Sequence, residues 1–236
     1  MYGFLLLLLL IFVSALPALA VHIWFRLSRY PMKLPWLLLS MLAGALSVLL
    51  AILLQSCFPD LPVTGIGTVL FRLFVQIALT EEAARLLMVF LLLEFGRRFP
   101  GRQEGGSRNF GEDWVQFPVS PSLGTATGLL AGLGFALVET ALFSASDFTV
   151  ALLRAFTAAP LHGACGGRVG YAAASLREKP SGGIARFISA VLLHGLYDFM
   201  LINPAIPSFL PVLLALVSLF SSIQVIRARI FNHKGE

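Results

Sequence analysis

Two adjacent glutamates and an arginine lie in the middle of a long apolar run of the sequence. Glu81, Glu82 and Arg85 interrupt the run that covers residues 65–95. A charge at the centre of a bilayer costs roughly 2.5–3.5 kcal/mol on insertion scales, so such groups are retained where they have partners or a function. On a helix, the Arg85 guanidinium can reach both carboxylates. Two carboxylates against one cation leave one carboxylate for chemistry.

Four further ionisable side chains lie inside later apolar runs. A helix rises 1.5 Å per residue, so the position of a residue in its apolar run gives its depth in the bilayer. These depths place most of the charged and imidazole groups between the bilayer midplane and one leaflet. The last two of the four are also four residues apart on one helix, so the carboxylate can orient the imidazole. We therefore expect several helices to bring one buried polar site together. The four side chains are Glu139, His162, His194 and Asp198.

Carboxylates and imidazoles that meet without a serine or cysteine nucleophile are typical of hydrolysis by activated water. One glutamate would act as the general base. In a metal-free mechanism, the histidines would donate hydrogen bonds to the oxyanion of the tetrahedral intermediate. This alternative needs no cofactor.

In a metal mechanism, the two histidines and one carboxylate, Glu139 or Asp198, would hold zinc and leave a position open for water. One of the paired glutamates would then deprotonate that water. The sequence contains no HExxH motif, so spacing alone leaves the metal-dependent and metal-free mechanisms both open.

The composition indicates an integral membrane protein. The 236 residues are 58% hydrophobic and 12% charged, whereas soluble domains carry about 25% charged residues. The mean hydropathy is +0.87. The basic residues cluster between apolar runs, which argues against nucleic acid as a partner and for the lipid bilayer. Cys57 and Cys165 each stand alone, so they form neither a disulfide framework nor a metal knuckle.

The apolar runs predict an all-α polytopic fold with about seven transmembrane helices. Lys and Arg fill alternate loops, and this pattern predicts an N-terminus outside and a C-terminus in the cytoplasm. We expect one integral-membrane domain over residues 1–236, with a cytoplasmic loop at 96–121 and a cytoplasmic tail at 227–236. Basic residues follow the first run rather than precede it, unlike in a signal peptide. We therefore expect the first run to be an uncleaved helix. The runs cover residues 3–25, 34–57, 65–95, 122–144, 148–175, 183–202 and 206–226.

Small residues and a proline predict how the helices around the site pack. Glycines recur every four residues in the fourth run, and small residues share one face of the fifth. Such stripes let helices approach closely. Pro160 removes the backbone donor to the Phe156 carbonyl, so we expect a kink about one turn before His162.

Four short motifs, in this order, resemble the PrsW family of intramembrane proteases, which is related to the CAAX-protease and bacteriocin-processing superfamily. They are EEAAR at 81–85, GFALVE at 134–139, Arg154 with PLH at 160–162, and HGLYDF at 194–199. The family often has Lys where Arg85 stands and Asn where Thr140 stands. The CAAX-type branch has EExxxR rather than the EExxR spacing found here. The resemblance implies proteolysis of membrane-anchored proteins, in a family treated as metallopeptidases.

The sequence therefore predicts an intramembrane endopeptidase that hydrolyses peptide bonds of single-span or membrane-anchored proteins. Its expected location is the bacterial cytoplasmic (inner) membrane. Two other functions fit parts of the pattern: a proton-coupled transporter with a Glu/His/Asp relay, and a non-catalytic membrane scaffold or sensor. The cofactor is a divalent metal such as zinc, or none. The predicted catalytic residues are Glu81, Glu82, Arg85, Glu139, His162, His194 and Asp198.

Overall fold

Within the described residues, all regular secondary structure is helical. The computed structural model describes residues 2–28, 32–60, 62, 64–98, 120–143 and 148–232, and it contains no strand within those ranges. A π-helical segment, Arg72–Leu79, joins the third and fourth α-helices. The α-helices are α1 Tyr2–Leu27, α2 Leu34–Ser56, α3 Ile66–Phe71, α4 Thr80–Arg98, α5 Pro121–Phe143, α6 Phe148–Phe156, α7 Ala158–Ser175, α8 Pro180–Ile202 and α9 Phe209–Asn232.

Several of these helices are long and apolar enough to cross a membrane. Four pass this test within the described residues, namely α2, α5, α8 and α9, and a fifth span is added if α6 and α7 together cross once. The predicted all-helical membrane-spanning class is confirmed. The count of seven spans and the orientation of the termini stay predictions. Most of the predicted loop at 96–121, and residues 233–236 of the predicted tail, lie outside the described residues.

The fifth apolar run is broken into two helices, as the proline predicts. α6 and α7 meet at Thr157 with a bend of 41°. Pro160 lies in the first turn of α7, where its missing N–H is tolerated. Because of this bend, α7 runs in a different direction from α6. His162, in the first turns of α7, lies inside the helix bundle, and its side chain is buried.

The third apolar run is not one regular helix, which the sequence analysis did not predict. Its central part, Arg72–Leu79, is π-helical and ends directly before the two glutamates. The Thr80 hydroxyl donates to the carbonyls of Gln76 and Ile77 at 2.6 and 2.9 Å. Hydroxyls that bond carbonyls of the preceding turn compete with regular helix geometry. π-helical turns are frequent at functional sites, and this one ends two residues before Glu81.

The predicted glycine stripes form the contact between α5 and α7. A Cβ atom built on Gly128 would lie 2.0 Å from the Gly166 carbonyl oxygen, and one on Gly132 would lie 1.9 Å from the His162 carbonyl oxygen. The two backbones therefore touch along several turns. This contact brings the end of α5 that carries Glu139 next to the start of α7.

A methyl group at this contact should weaken the fold. We expect Gly128→Ala to lower the free energy of unfolding by about 1–3 kcal/mol, because the backbone of α7 has to move away. Thermal unfolding in detergent micelles measures the effect. Gly182→Ala in α8 is the matched control, since a Cβ there meets nothing within 4 Å. Equal melting temperatures for the two variants would contradict the packing.

Candidate active site

The centre of the candidate site is Glu82, whose two carboxylate oxygens are both engaged. Oε2 accepts a hydrogen bond from Arg85 Nη1 at 2.5 Å, and Oε1 lies 2.8 Å from His194 Nδ1. Neither Glu82 nor Arg85 has exposed side-chain surface. Because an ionised carboxylate only accepts, the shared proton belongs to Nδ1 of His194. Glu82 therefore holds His194 in one orientation and in one tautomer.

A second carboxylate holds the second histidine in the same way. Glu139 Oε2 lies 2.7 Å from His162 Nε2 and 2.7 Å from Arg154 Nη2. By the same reasoning His162 donates from Nε2, and its Nδ1 lone pair faces Arg85 Nη2 at 3.4 Å, where the guanidinium is the donor. Each imidazole of the site is thus backed by a carboxylate, and each of those carboxylates is paired with an arginine.

Glu81 differs from Glu82 because one of its carboxylate oxygens has no hydrogen-bond partner among the described residues. Oε1 accepts from Gln55 Nε2 at 3.3 Å. Oε2 is buried without a hydrogen-bond partner among the described residues and lies 3.7 Å from His194 Nε2. The sequence analysis expected Arg85 to reach both glutamates. In the structure the ion pair of Arg85 is with Glu82, and Glu81 turns toward α2 and α8.

Asp198 is the second carboxylate that faces His194 Nε2. Its Oδ2 lies 3.6 Å from that nitrogen, one helical turn along α8. With its proton on Nδ1, His194 presents the Nε2 lone pair to two carboxylates. Negative groups and a lone pair around one gap are stable only with a proton or a cation between them.

The aromatic ring of Phe135 completes the wall between the two histidines and Arg85. The Arg85 guanidinium carbon lies 4.3 Å above the Phe135 ring centre. The ring centre of His162 lies 5.1 Å from that of Phe135 and 5.1 Å from that of His194. Phe135 therefore limits the positions that the buried cation and the His162 imidazole can take.

The exposed fraction of the side chains rises in one direction across the site. It is zero at Glu82 and Arg85, 10% at Glu81, and 23% at both Asp198 and Arg154. The opening of the site thus lies on the side of Asp198 and Arg154.

The charges of the site do not balance without a further positive charge. Among the described residues the site holds four carboxylates, on Glu81, Glu82, Glu139 and Asp198, but only the guanidinium groups of two arginines. With neutral imidazoles, four minus two leaves two negative charges in excess. One divalent cation balances them, and so do two protonated imidazoles.

The residues fit a metal ion. Glu81, His162 and His194 each offer one ligand atom, and these atoms lie within 4.8 Å of one another. Two imidazoles and a carboxylate form a donor set that catalytic zinc uses, with a fourth position left open. The buried Oε2 of Glu81, which has no hydrogen-bond partner among the described residues, is the atom that a metal would satisfy.

All seven residues that the sequence analysis proposed lie in this cluster. Their catalytic roles stay predictions. Three members of the cluster were missed as site residues: Gln55, Phe135 and Arg154. The position of Arg154 in the third motif was the one sequence signal for it. Phe135 lies in the second motif, GFALVE at 134–139, but an aromatic residue in an apolar run is common. Gln55 gave no signal, since an amide near a helix end is common as well.

Comparison with known protein families gives one match. Residues 32–223 match the family model described as "PrsW family intramembrane metalloprotease". This range includes all four motifs and every residue of the cluster. No curated protein and no solved structure matches the chain.

The two charges of the central ion pair, Glu82 and Arg85, should be energetically coupled. We expect Glu82→Gln or Arg85→Met alone to lower the free energy of unfolding by about 3–5 kcal/mol, because either leaves an uncompensated buried group. The double variant should lose clearly less than the sum of the two. Unfolding by a denaturing detergent in mixed micelles measures all three.

Arg177→Met is the control for this cycle. It removes an ion pair with Glu94 in which the arginine is 61% exposed, and such pairs contribute about 0–1 kcal/mol. Strictly additive losses for Glu82 and Arg85 would show that the two side chains are not coupled.

Proposed function

The chain belongs to the PrsW family of intramembrane metalloproteases, and we propose that its reaction takes place in the gap bounded by Glu81, His194 and Asp198. The observation that carries this proposal is that Glu81 Oε2 and Asp198 Oδ2 both face Nε2 of His194, while Glu82 holds the opposite side of the ring. The enzyme acts on membrane proteins. We propose single-span or membrane-anchored proteins as its substrates.

Three residues are proposed to hold a zinc ion: His162, His194 and Glu81. When bound there, zinc would act as a Lewis acid on the carbonyl oxygen of the scissile bond. This set differs from the carboxylate ligands suggested by the sequence, Glu139 or Asp198. Glu139 Oε2 already forms ion pairs with His162 and Arg154, each at 2.7 Å, which suits an orienting role.

Glu82 and Glu139 are proposed to orient the two histidines. A carboxylate that accepts the N–H on one side of an imidazole fixes the lone pair on the other side and makes it a better donor. Arg85 and Arg154 keep these two carboxylates ionised and in place. Phe135 keeps water away from the Arg85 side of the cluster.

Asp198 is proposed to move the proton. Its carboxylate lies at the open side of the gap, where a water molecule and the peptide bond can both reach it. It takes a proton from the attacking water at Oδ2 and gives that proton to the leaving amine nitrogen. The proton that water loses when it bonds to the carbonyl carbon is thus the proton that the amine nitrogen gains when the C–N bond breaks. Asp198 carries it between the two steps.

The metal-free alternative assigns other roles to the same atoms. Glu81 Oε2 is then the general base, and a protonated His194 donates from Nε2 to the oxyanion. Both alternatives depend on the gap described above. They differ in whether the extra positive charge is a metal ion or protons on the imidazoles.

We also propose the arrangement in the membrane that the sequence predicts: seven spans in one domain over residues 1–236, N-terminus outside, and the loop at 96–121 and the tail at 227–236 in the cytoplasm. Support comes from the helix directions. Gly124 lies against Gly170, and Gly132 against His162, so α5 and α7 are antiparallel. The bacterial inner membrane as location is part of this proposal.

No observation favours the transporter or the scaffold considered from the sequence. The family match favours hydrolysis, and the cluster contains the acid, base and histidine groups that hydrolysis needs.

Loss of either carboxylate at the gap should stop the reaction. We expect Asp198→Asn to lower kcat for cleavage of a single-span substrate in proteoliposomes by at least about 100-fold, the usual contribution of a positioned acid or base. Glu81→Gln should lower kcat by a similar factor, because it removes a zinc ligand in one mechanism and the general base in the other. Asp60→Asn, a change in an exposed loop, should cleave normally. Full cleavage by Asp198→Asn would remove its proton-carrying role. Solute uptake driven by pH without any cleavage would favour the transporter.

Metal analysis should separate the two mechanisms. We expect detergent-purified protein to contain about one zinc per chain, and His162→Ala or His194→Ala to lose it. A chelator should abolish cleavage, and added zinc should restore it. Undiminished cleavage by protein shown to contain no metal would assign the reaction to the metal-free mechanism.

A further inference from the structure

Gln55 is a polar residue of the cluster that lies outside the four sequence motifs. It is in the last turn of α2, a helix that contributes no other hydrogen bond to the site among the described contacts. Its side-chain Nε2 donates to Oε1 of Glu81 at 3.3 Å. The bond connects α2 to the start of α4 and ends on the carboxylate that faces the reaction gap.

This hydrogen bond fixes the orientation of the Glu81 carboxylate plane. The terminal torsion of a glutamate is broad, so the carboxylate plane is poorly defined unless a partner holds it. With Oε1 bonded to Gln55, Oε2 faces His194 Nε2 at 3.7 Å and has no hydrogen-bond partner in the described chain. The amide thus engages one oxygen and leaves the other for the gap.

We infer that Gln55 is a positioning residue of the active site, which acts by orienting Glu81 toward the zinc position. The inference rests on the proposed role of Glu81. A neutral amide suits this task, because it donates a hydrogen bond without adding a charge that would compete with a metal ion for the carboxylate.

Packing alone does not require this bond. α2 and α4 already meet through a buried apolar cluster that includes Val48, Ala51 and Ala84. Gln55 lies at the half-exposed edge of that contact. Removing its amide while keeping its length should therefore leave the helix contact intact and change only the orientation of Glu81.

Gln55→Met tests the inference, because methionine has nearly the same length and shape but no donor. We expect the zinc affinity, measured by competition with a chromogenic chelator, to fall roughly 10–100-fold, as is usual when a partner of a metal ligand is removed. At saturating zinc, kcat should fall while KM for the substrate stays unchanged. Gln55→Glu, which places a second carboxylate beside Glu81, should lose more.

Gln76→Met is the matched control. The same type of side chain there donates to the Pro59 carbonyl at 3.0 Å and makes no contact with the cluster among the described hydrogen bonds. Its zinc affinity and kcat should equal those of the unchanged protein. Gln55→Met with the zinc affinity and kcat of this control would overturn the inference. So would a Gln55→Met loss that is fully explained by a lower folded fraction.

A double-mutant cycle separates this inference from the proposed function. If Gln55 acts through Glu81, then Gln55→Met should change zinc affinity little in a Glu81→Gln background. An equal further loss in that background would overturn the inference alone. Glu81→Gln that binds zinc and cleaves substrate normally would instead remove the proposed role of Glu81, and the inference with it.

Discussion

A carboxylate and a guanidinium without exposed surface, Glu82 and Arg85, form the interaction on which the rest of the site depends. Two charges taken out of water lose several kcal/mol of hydration each, and only good geometry with additional hydrogen bonds compensates for this loss. Here the additional partners are His194 on one side and the Phe135 ring on the other. The helices that supply these partners, α4, α5 and α8, are therefore held together by the same two charges that orient the histidine.

Such a pair can form only if the surrounding backbones come close enough to exclude water and lipid. The α5–α7 contact achieves this with glycines, since a single methyl group at Gly128 or Gly132 would overlap a carbonyl oxygen of α7. Without this close approach, the Glu139 carboxylate could not reach the imidazole of His162. The glycine stripes therefore help to position the side chains of the cluster as well as to pack the helices.

The ionisable members of the site other than Arg154 could be proposed from the sequence, because an ionisable group in an apolar run has few explanations. The kink at Pro160 and the glycine contacts were predictable for a similar reason: each follows from one local steric rule. Other features needed the structure. The π-helical turn before Glu81 has no sequence pattern of its own, and both glutamates are within helical reach of Arg85, so the sequence does not tell which of them pairs with it. Gln55 and Phe135 resemble ordinary helix residues until their partners are known.

The four carboxylates can be divided by what already occupies their oxygens. Glu82 and Glu139 are bonded to a histidine and an arginine each, so neither is free to exchange a proton with substrate without releasing an imidazole. Glu81 and Asp198 face His194 Nε2 with an oxygen that this pairing does not use. If all four were equivalent, two arginines could not hold them ionised in the interior. The two arginines instead pair with Glu82 and Glu139. The remaining negative charge, on Glu81 and Asp198, is concentrated beside Nε2 of His194. A positively charged group is attracted to that place, which explains why the same geometry suits a zinc ion and a protonated imidazole.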